Sequence, residues 1–258
     1  MKYLQNTVKN KLKANTLTVG SWLNLPSLEV TEIMSRSSFE FLVMDLEHAT
    51  MSFETVQKMA MVIEGRDVLP FARVEKNDPV VIKKALEAGC YGIIVPMVNT
   101  EAEARKAIDG VYYAPQGSRG VGLSRAQGYG LEFGRYKDWY QDNIVLITQV
   151  EHIEAVNNLE AILSLDKVDA TIIGPYDLSA SLGCPGEFER EDVKSAIGTY
   201  LKLCKKFNKP AGIHVVSSDA AEVNKRIREG FTFVVFGIDM LFLGNKIGDE
   251  MKALTELR

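Results

Sequence analysis

The sequence predicts one α/β domain, a closed (β/α)8 TIM barrel over residues 1–258, and three observations predict it. Eight short apolar runs recur along the chain, each followed by a stretch of helical periodicity. That alternation marks a parallel sheet. The chain has 258 residues, the size of one eight-unit barrel. Five of the apolar runs end abruptly in polar residues, as strands do when they deliver side chains to one rim of a sheet. An open doubly wound sheet is the competing architecture. No Gly-x-Gly-x-x-Gly follows the first strand, which weakens its dinucleotide-binding form.

Taken in order, residues 1–16 read as a short amphipathic helix, a barrel plug or an oligomer contact. Thr18 to Leu23 is the first strand. Ser27 caps a helix to about Ser37, with Val30, Ile33 and Met34 as its apolar stripe. The second strand, Phe41 to Met44, runs into Asp45, Glu47 and His48. In an extended strand Asp45 and Glu47 face one way and His48 the other, whereas a turn after Met44 brings Asp45 and His48 together. Ser52 caps a helix with Val56, Met59, Ala60 and Ile63 on one face, ended near Gly65. The third strand is Val68 to Val74, with Arg73 at its end. Asp78-Pro79 opens a helix that stops at Gly89. The fourth strand is Tyr91 to Met97, and its helix covers about Glu101 to Ile108.

Gly110 to Gly134 is the longest irregular stretch, and a long loop inside a compact domain is usually functional or disordered. The fifth strand, Ile144 to Val150, delivers Gln149 and Glu151, and a helix follows with Val156, Leu159, Ile162 and Leu163 on its apolar face. The sixth, Ala170 to Ile173, runs into Gly174-Pro-Tyr-Asp177. A helix over about Glu191 to Phe207, a strand from Ala211 to Val216, a helix from Asp219 to Glu229 and a strand from Thr232 to Phe236 complete the barrel. Met240 to Leu257 reads as a last helix.

Composition narrows the partners. Hydrophobic residues are 46% and charged residues 25%, ordinary for a globular domain. A net charge of −4 argues against nucleic acid but leaves room for a small anionic substrate. The three cysteines form neither a disulfide framework nor a zinc motif, which points to a reducing cytoplasm. The N-terminus lacks the apolar core of a signal peptide, and no run of about 18 apolar residues spans a membrane.

The chemistry gathers at the strand ends, where barrels of this class carry their active sites. Glu151 and Asp177 are a hard-oxygen pair suited to Mg²⁺, Mn²⁺ or a similar ion, and each could equally cap a helix. Arg73 offers a fork for a carboxylate or enolate oxygen, or a structural salt bridge to a barrel carboxylate. His48 is either a group titrating near neutrality or a satisfied hydrogen-bonding residue. His152 reads as first-turn and His214 as barrel interior. No lysine ends the fifth, sixth or seventh strand, which disfavours Schiff-base chemistry. No glycine-rich phosphate cradle follows the last two strands.

The ordered motifs Met44-Asp-Leu-Glu-His48, Ala72-Arg-Val74, Ile94-Val-Pro-Met-Val98, Tyr113-Ala-Pro-Gln-Gly-Ser-Arg-Gly-Val-Gly122, Gln149-Val-Glu151 and Gly174-Pro-Tyr-Asp-Leu-Ser179 resemble the metal-dependent pyruvate aldolases of the HpcH/HpaI family. The resemblance spans nearly the whole chain. It implies Glu151 and Asp177 as ligands of Mg²⁺, Mn²⁺ or Co²⁺, and Gln149 with the Gly174, Pro175 and Tyr176 segment as the pyruvate holder. It implies His48 as a base acting through water, supported by Asp45 and by Glu87 at the position of the family's acidic partner. Arg73 would stabilise the enolate and bind the keto acid. A homohexamer with exchanged C-terminal helices is also implied.

Three residues depart from the pattern. Leu46 replaces a glycine, Glu87 replaces the usual aspartate, and Tyr176 stands where a small residue is common. These touch the aldehyde end more than the pyruvate end. The reaction implied is cleavage of a 4-hydroxy-2-oxo acid to pyruvate and an aldehyde. A CoA-ester lyase on the same scaffold and a non-catalytic keto-acid binder are the alternatives.

Overall fold

A computed structural model describes residues 1–255. Eight strands pair in parallel, each with its sequence neighbour: β1 (Thr18–Leu23), β2 (Phe41–Asp45), β3 (Leu69–Arg73), β4 (Gly92–Val95), β5 (Val145–Val150), β6 (Ala170–Ile173), β7 (Ala211–Val215) and β8 (Phe233–Ile238). β8 returns to β1, so the sheet closes into a barrel. Around it lie α1 (Thr7–Lys13), α2 (Leu28–Ser35), α3 (Phe53–Gly65), α4 (Pro79–Glu87), α5 (Glu101–Val111), α6 (Phe133–Asn143), α7 (Ile153–Asn157), α8 (Leu159–Leu163), α9 (Pro175–Ser181), α10 (Glu191–Lys206), α11 (Ala220–Glu229) and α12 (Asp239–Thr255). The expected C-terminal helix is described as far as Thr255, and Leu257 lies outside the described residues. No helix among the described residues is long and apolar enough to cross a membrane.

Alternation along the strands sorts two cores. Trp22, Phe41, Val43, Phe71, Ile147 and Phe233 point inward and fill the barrel. Ile213, Val215 and Val234 point outward against the helices around Tyr200 and Leu163. The expected plug is real: α1 sends Val8 and Leu12 into the interior cluster, beneath Phe41 and Tyr91. Lys9 is buried with them, its Nζ bonded to the Ile144 carbonyl and 3.2 Å from Asp169.

The helix starts follow the capping residues. Ser27, Ser52 and Asp78 each accept a first-turn N–H, and Thr100 with Glu103 forms a reciprocal box. Each such cap is worth about 1 kcal/mol. Four expectations are corrected. In α2 the buried face is Thr31, Met34 and Ser35, while Ile33 is 66% exposed. The helix after β5 is broken at Asn157 and Asn158 into α7 and α8. A short helix, α9, follows β6 directly.

The fourth correction concerns the stretch to Gly134, which is irregular only in part. It holds a 3-10 turn at Arg125–Gly130, and α6 begins at Phe133. Tyr136 and Tyr140, one helical turn apart, bury against Tyr113 and Tyr112. Arg119 of the glycine-rich motif is buried, its guanidinium 4.8 Å from the Tyr113 ring and bonded to the Tyr136 hydroxyl at 2.8 Å. Buried Glu64 ties the segment down, accepting from the Lys2 backbone N–H, the Tyr91 hydroxyl and Arg125.

Candidate active site

The C-terminal rim of the barrel closes around a cavity of 270 Å³. Trp22, Asp45, His48, Arg73, Gln149, Gly174, Pro175, Tyr176, Asp177 and His214 line it, among others. These come from β1, β2, β3, β5, β6 with α9, and β7.

The arrangement starts at the end of β2. Asp45 is the last strand residue and is fully buried. Its Oδ1 accepts from the backbone N–H groups of Glu47 at 3.0 Å and His48 at 3.4 Å, so the chain turns at once. The turn joins Asp45 to the His48 backbone, not to its imidazole. The same carboxylate takes both arms of Arg73, Nε to Oδ1 at 3.0 Å and Nη2 to Oδ2 at 2.7 Å. Burial alone would raise the Asp45 pKa, but the hydrogen bonds and charge of Arg73 hold it below the ordinary value. Arg73 thus fulfils the salt-bridge reading. Its remaining nitrogen, Nη1, lies 3.2 Å from Glu47 Oε2. Burial raises the Glu47 pKa against the pull of Arg73.

His48 stands at the rim with its side chain 66% exposed, its Nε2 3.8 Å from Glu47 Oε2. Glu87 does not join it within one chain. α4 runs from the end of β3 back to the start of β4, so its last residue, Glu87, lies at the opposite end of the barrel. There its carbonyl accepts from the Ser124 hydroxyl. The carboxylate beside His48 in one chain is Glu47.

On the other wall, Glu151 is buried, and its Oε1 accepts from Gln149 Nε2 at 2.5 Å. Its Oε2 accepts from the Met97 backbone N–H at 3.1 Å. Met97 holds that amide in position at a φ of +52°. Burial pushes the Glu151 carboxyl up to about 7, the Met97 N–H opposes, and the charges of Glu47 and Asp177 add to the rise. The charges of these three carboxylates are therefore close enough to oppose one another. Neither Glu151 nor Asp177 caps a helix: His152 caps α7 through its side chain, and Gly174 caps α9. Gly174 also passes close to Glu151, where an added Cβ would sit 2.9 Å from its Cγ. Gln149 Oε1 is buried without a partner. Tyr176 is 60% exposed and packs edge-on against Phe188 at 4.8 Å.

Among the described residues no three His, Cys, Asp or Glu side chains form a metal cluster. Glu151 and Asp177 are two hard-oxygen donors beside an open cavity. That set suits a divalent ion that keeps water or substrate oxygens in its other positions.

Sequence reasoning passed over Trp22, Glu47 and the cavity role of His214. Strand parity could have found His214, because Ile213 and Val215 face outward. Glu47 was in view, but only the Asx turn shows where it points.

Residues 18–245 match the family model described as HpcH/HpaI aldolase/citrate lyase. The chain is 36% identical over 239 residues to a pyruvate aldolase of Rhizobium etli, covering 92% of this chain and 93% of that one. It is 34% identical over 238 residues to a 5-keto-4-deoxy-D-glucarate aldolase of Salmonella paratyphi A, covering 91% of each. A Burkholderia cenocepacia HpcH/HpaI aldolase/citrate lyase family structure superposes with a TM-score of 0.90 at 27% identity, covering 98% of this chain and 100% of that one.

Proposed function

Since the chain belongs to the HpcH/HpaI aldolase/citrate lyase family and is a carbon–carbon lyase, we propose a divalent-metal-dependent aldolase that makes or cleaves a 4-hydroxy-2-oxo acid. Pyruvate and an aldehyde are the other side of the equilibrium. The observation that carries this reading is the gathering of Arg73, Gln149 and Asp177 around one small cavity, with Glu151 bonded to Gln149 beside it.

Glu151 and Asp177 would hold the ion, Mg²⁺, Mn²⁺ or Co²⁺, and the ion would supply positive charge to polarise the 2-oxo acid. Gln149 and the Gly174 to Tyr176 segment would orient the keto-acid end. Arg73, held by Asp45, sets a fixed cation beside the oxygen that gains charge as the bond breaks. In the cleavage direction His48, acting through a water, takes the 4-hydroxyl proton. The C3–C4 bond breaks to release the aldehyde, its electron pair passes to the enolate, and the proton held by His48 is returned through the water to C3 to give pyruvate. Glu47 is the acidic neighbour available to His48 within a chain.

The assembly proposed with this function is a homohexamer with exchanged C-terminal helices, acting in the cytoplasm. Met240, Leu243, Ile247 and Leu254 support the exchange, forming an exposed apolar stripe along α12. Ile33 leaves a further apolar side chain exposed on α2.

The test is to incubate metal-loaded protein with pyruvate and a panel of aldehydes and to detect adducts by mass spectrometry. Chelation should abolish product formation, and added Mg²⁺, Mn²⁺ or Co²⁺ should restore it. Glu151→Ala and Asp177→Ala should each lose metal and activity while keeping the circular dichroism of the fold. Full activity in excess chelator, with borohydride trapping pyruvate on the protein, overturns the reading.

A further inference from the structure

One side chain in the cavity has no part in the chemistry above. His214 projects inward from β7, between Ile213 and Val215 on the outer side. Two contacts fix its ring. It lies flat on Trp22 of β1, with centroids 4.6 Å apart and planes 12° from parallel. The same indole carries the Arg73 guanidinium at 4.7 Å. His214 Nε2 is 3.0 Å from the carbonyl oxygen of Gly237. A carbonyl only accepts, so Nε2 carries the proton and Nδ1 is left as a bare acceptor.

That carbonyl is freed by a bulge. The register of β8 against β1 slips between Gly20 and Trp22, whose partners are Val235 and Ile238. Gly237 sits inside the slip at a φ of +67°. A Cβ there would also meet the Phe242 ring at 2.4 Å, so the position needs glycine. Bulges beside a site re-aim groups toward it. Burial pushes the His214 pKa down to about 4, so the ring is neutral at physiological pH.

His214 also stands at an exit. It shares with Pro175, Tyr176 and Val216 the wall between the cavity and a 610 Å³ groove that opens between α10 and α11. The keto-acid end is assigned to Gln149, Glu151 and Asp177. The aldehyde-derived end then extends past His214 and Tyr176. No protein group bonds His214 Nδ1 among the described residues.

We propose that His214 sets the aldehyde specificity, its Nδ1 accepting a hydrogen bond from a hydroxyl of the aldehyde moiety, so that hydroxyaldehydes are preferred over unsubstituted ones. This rests on the aldolase reading of the site. It names the class of aldehyde that the site takes.

The test compares wild type, His214→Leu and His214→Asn, all metal-loaded. Asn places its Oδ1 near the position of Nδ1, whereas Leu has no acceptor. The first arm measures condensation of pyruvate with glycolaldehyde and with acetaldehyde. His214→Leu should lose about 5- to 100-fold in kcat/KM for glycolaldehyde, the range of a buried donor left unpaired, and should lose it through KM. Its activity with acetaldehyde should stay within about twofold, and His214→Asn should restore most of the preference. The second arm measures calorimetric binding of 4,5-dihydroxy-2-oxopentanoate and 4-hydroxy-2-oxopentanoate, and it decides the matter without turnover. If neither aldehyde reacts but the dihydroxy acid still binds more tightly to wild type than to His214→Leu, the aldolase reading falls and the role of His214 stands. Equal preference in wild type and His214→Leu, or no binding of either acid to wild type, overturns the proposal.

Discussion

Asp45→Asn is the sharpest test of how the cavity is held. The substitution keeps shape and volume, and the amide oxygen can still receive the Glu47 and His48 N–H groups. It can serve only one arm of Arg73. The fork needs two acceptors, now met at 3.0 and 2.7 Å, and an amide offers one and turns an NH₂ toward Nη2. Arg73 is 8% exposed and Asp45 is fully buried, so little water can replace the lost charge. Removing one partner of a buried pair costs about 3 to 5 kcal/mol. Glu47, 3.2 Å from Nη1, offsets part of that, and the expected loss is about 3 kcal/mol, the low end of that range. The assay is urea unfolding followed by near-UV circular dichroism, run as a cycle with Arg73→Met and the double variant. The double variant leaves no orphaned guanidinium and should be more stable than Asp45→Asn alone. A loss below about 1 kcal/mol, the worth of an exposed pair, or strict additivity, would show that the pair does not organise the rim.

Two further outcomes are expected. Gly174→Ala has no backbone conflict, since Gly174 has a φ of −103°, but its Cβ would meet Glu151 Cγ at 2.9 Å and Oε1 at 3.1 Å. Metal affinity should fall about 10-fold or more with the melting temperature nearly unchanged, and unchanged affinity in a chelator competition would refute the close approach as a constraint. His214 gives a pH signature: its folded pKa, about 4, lies below the 6.5 of an unfolded histidine. Its contribution is complete above pH 6.5 and is lost as pH falls toward 4, reaching about 2 kcal/mol between pH 7 and pH 5. His214→Asn should therefore lose stability less steeply than wild type over that interval, and parallel curves would contradict a neutral buried ring.

The sequence was most legible where a local rule acts alone. Ser27, Ser52 and Asp78 declare helix starts through their own side chains, and Phe41 to Met44 can only be a buried strand. It was least legible where a distant partner decides. Phe133 to Asn143 reads as polar, and its aromatic stripe is explained by partners distant in sequence, Tyr3 and Tyr91, together with Tyr112 and Tyr113. Ile33 fits the helical period, yet α2 buries the small polar Thr31 and Ser35 instead. Glu87 follows a motif match, but the direction of α4 carries it to the far end of the barrel. Asp45, Arg73, Gln149 and Asp177 were found because a polar side chain at the end of an apolar strand is conspicuous. His214 reads as barrel interior, but its stacking on Trp22 is set by the closure of the barrel and by no local rule.

The closing seam between β8 and β1 has a consequence for biosynthesis. The Ser21 hydroxyl bonds the Phe236 carbonyl across 215 residues, and the Asp239 carboxylate receives the N–H groups of Asn24 and Leu25. At about 5 to 20 residues per second, β1 leaves the ribosome roughly 10 to 40 s before its last partner is made. Throughout that interval β1 has a bare edge, the kind of template that other chains pair with. Trp22 likewise waits for His214, and His214 waits for the Gly237 carbonyl. Nascent chains stalled before residue 237 should therefore lack the cavity, with β1 paired on its β2 side alone.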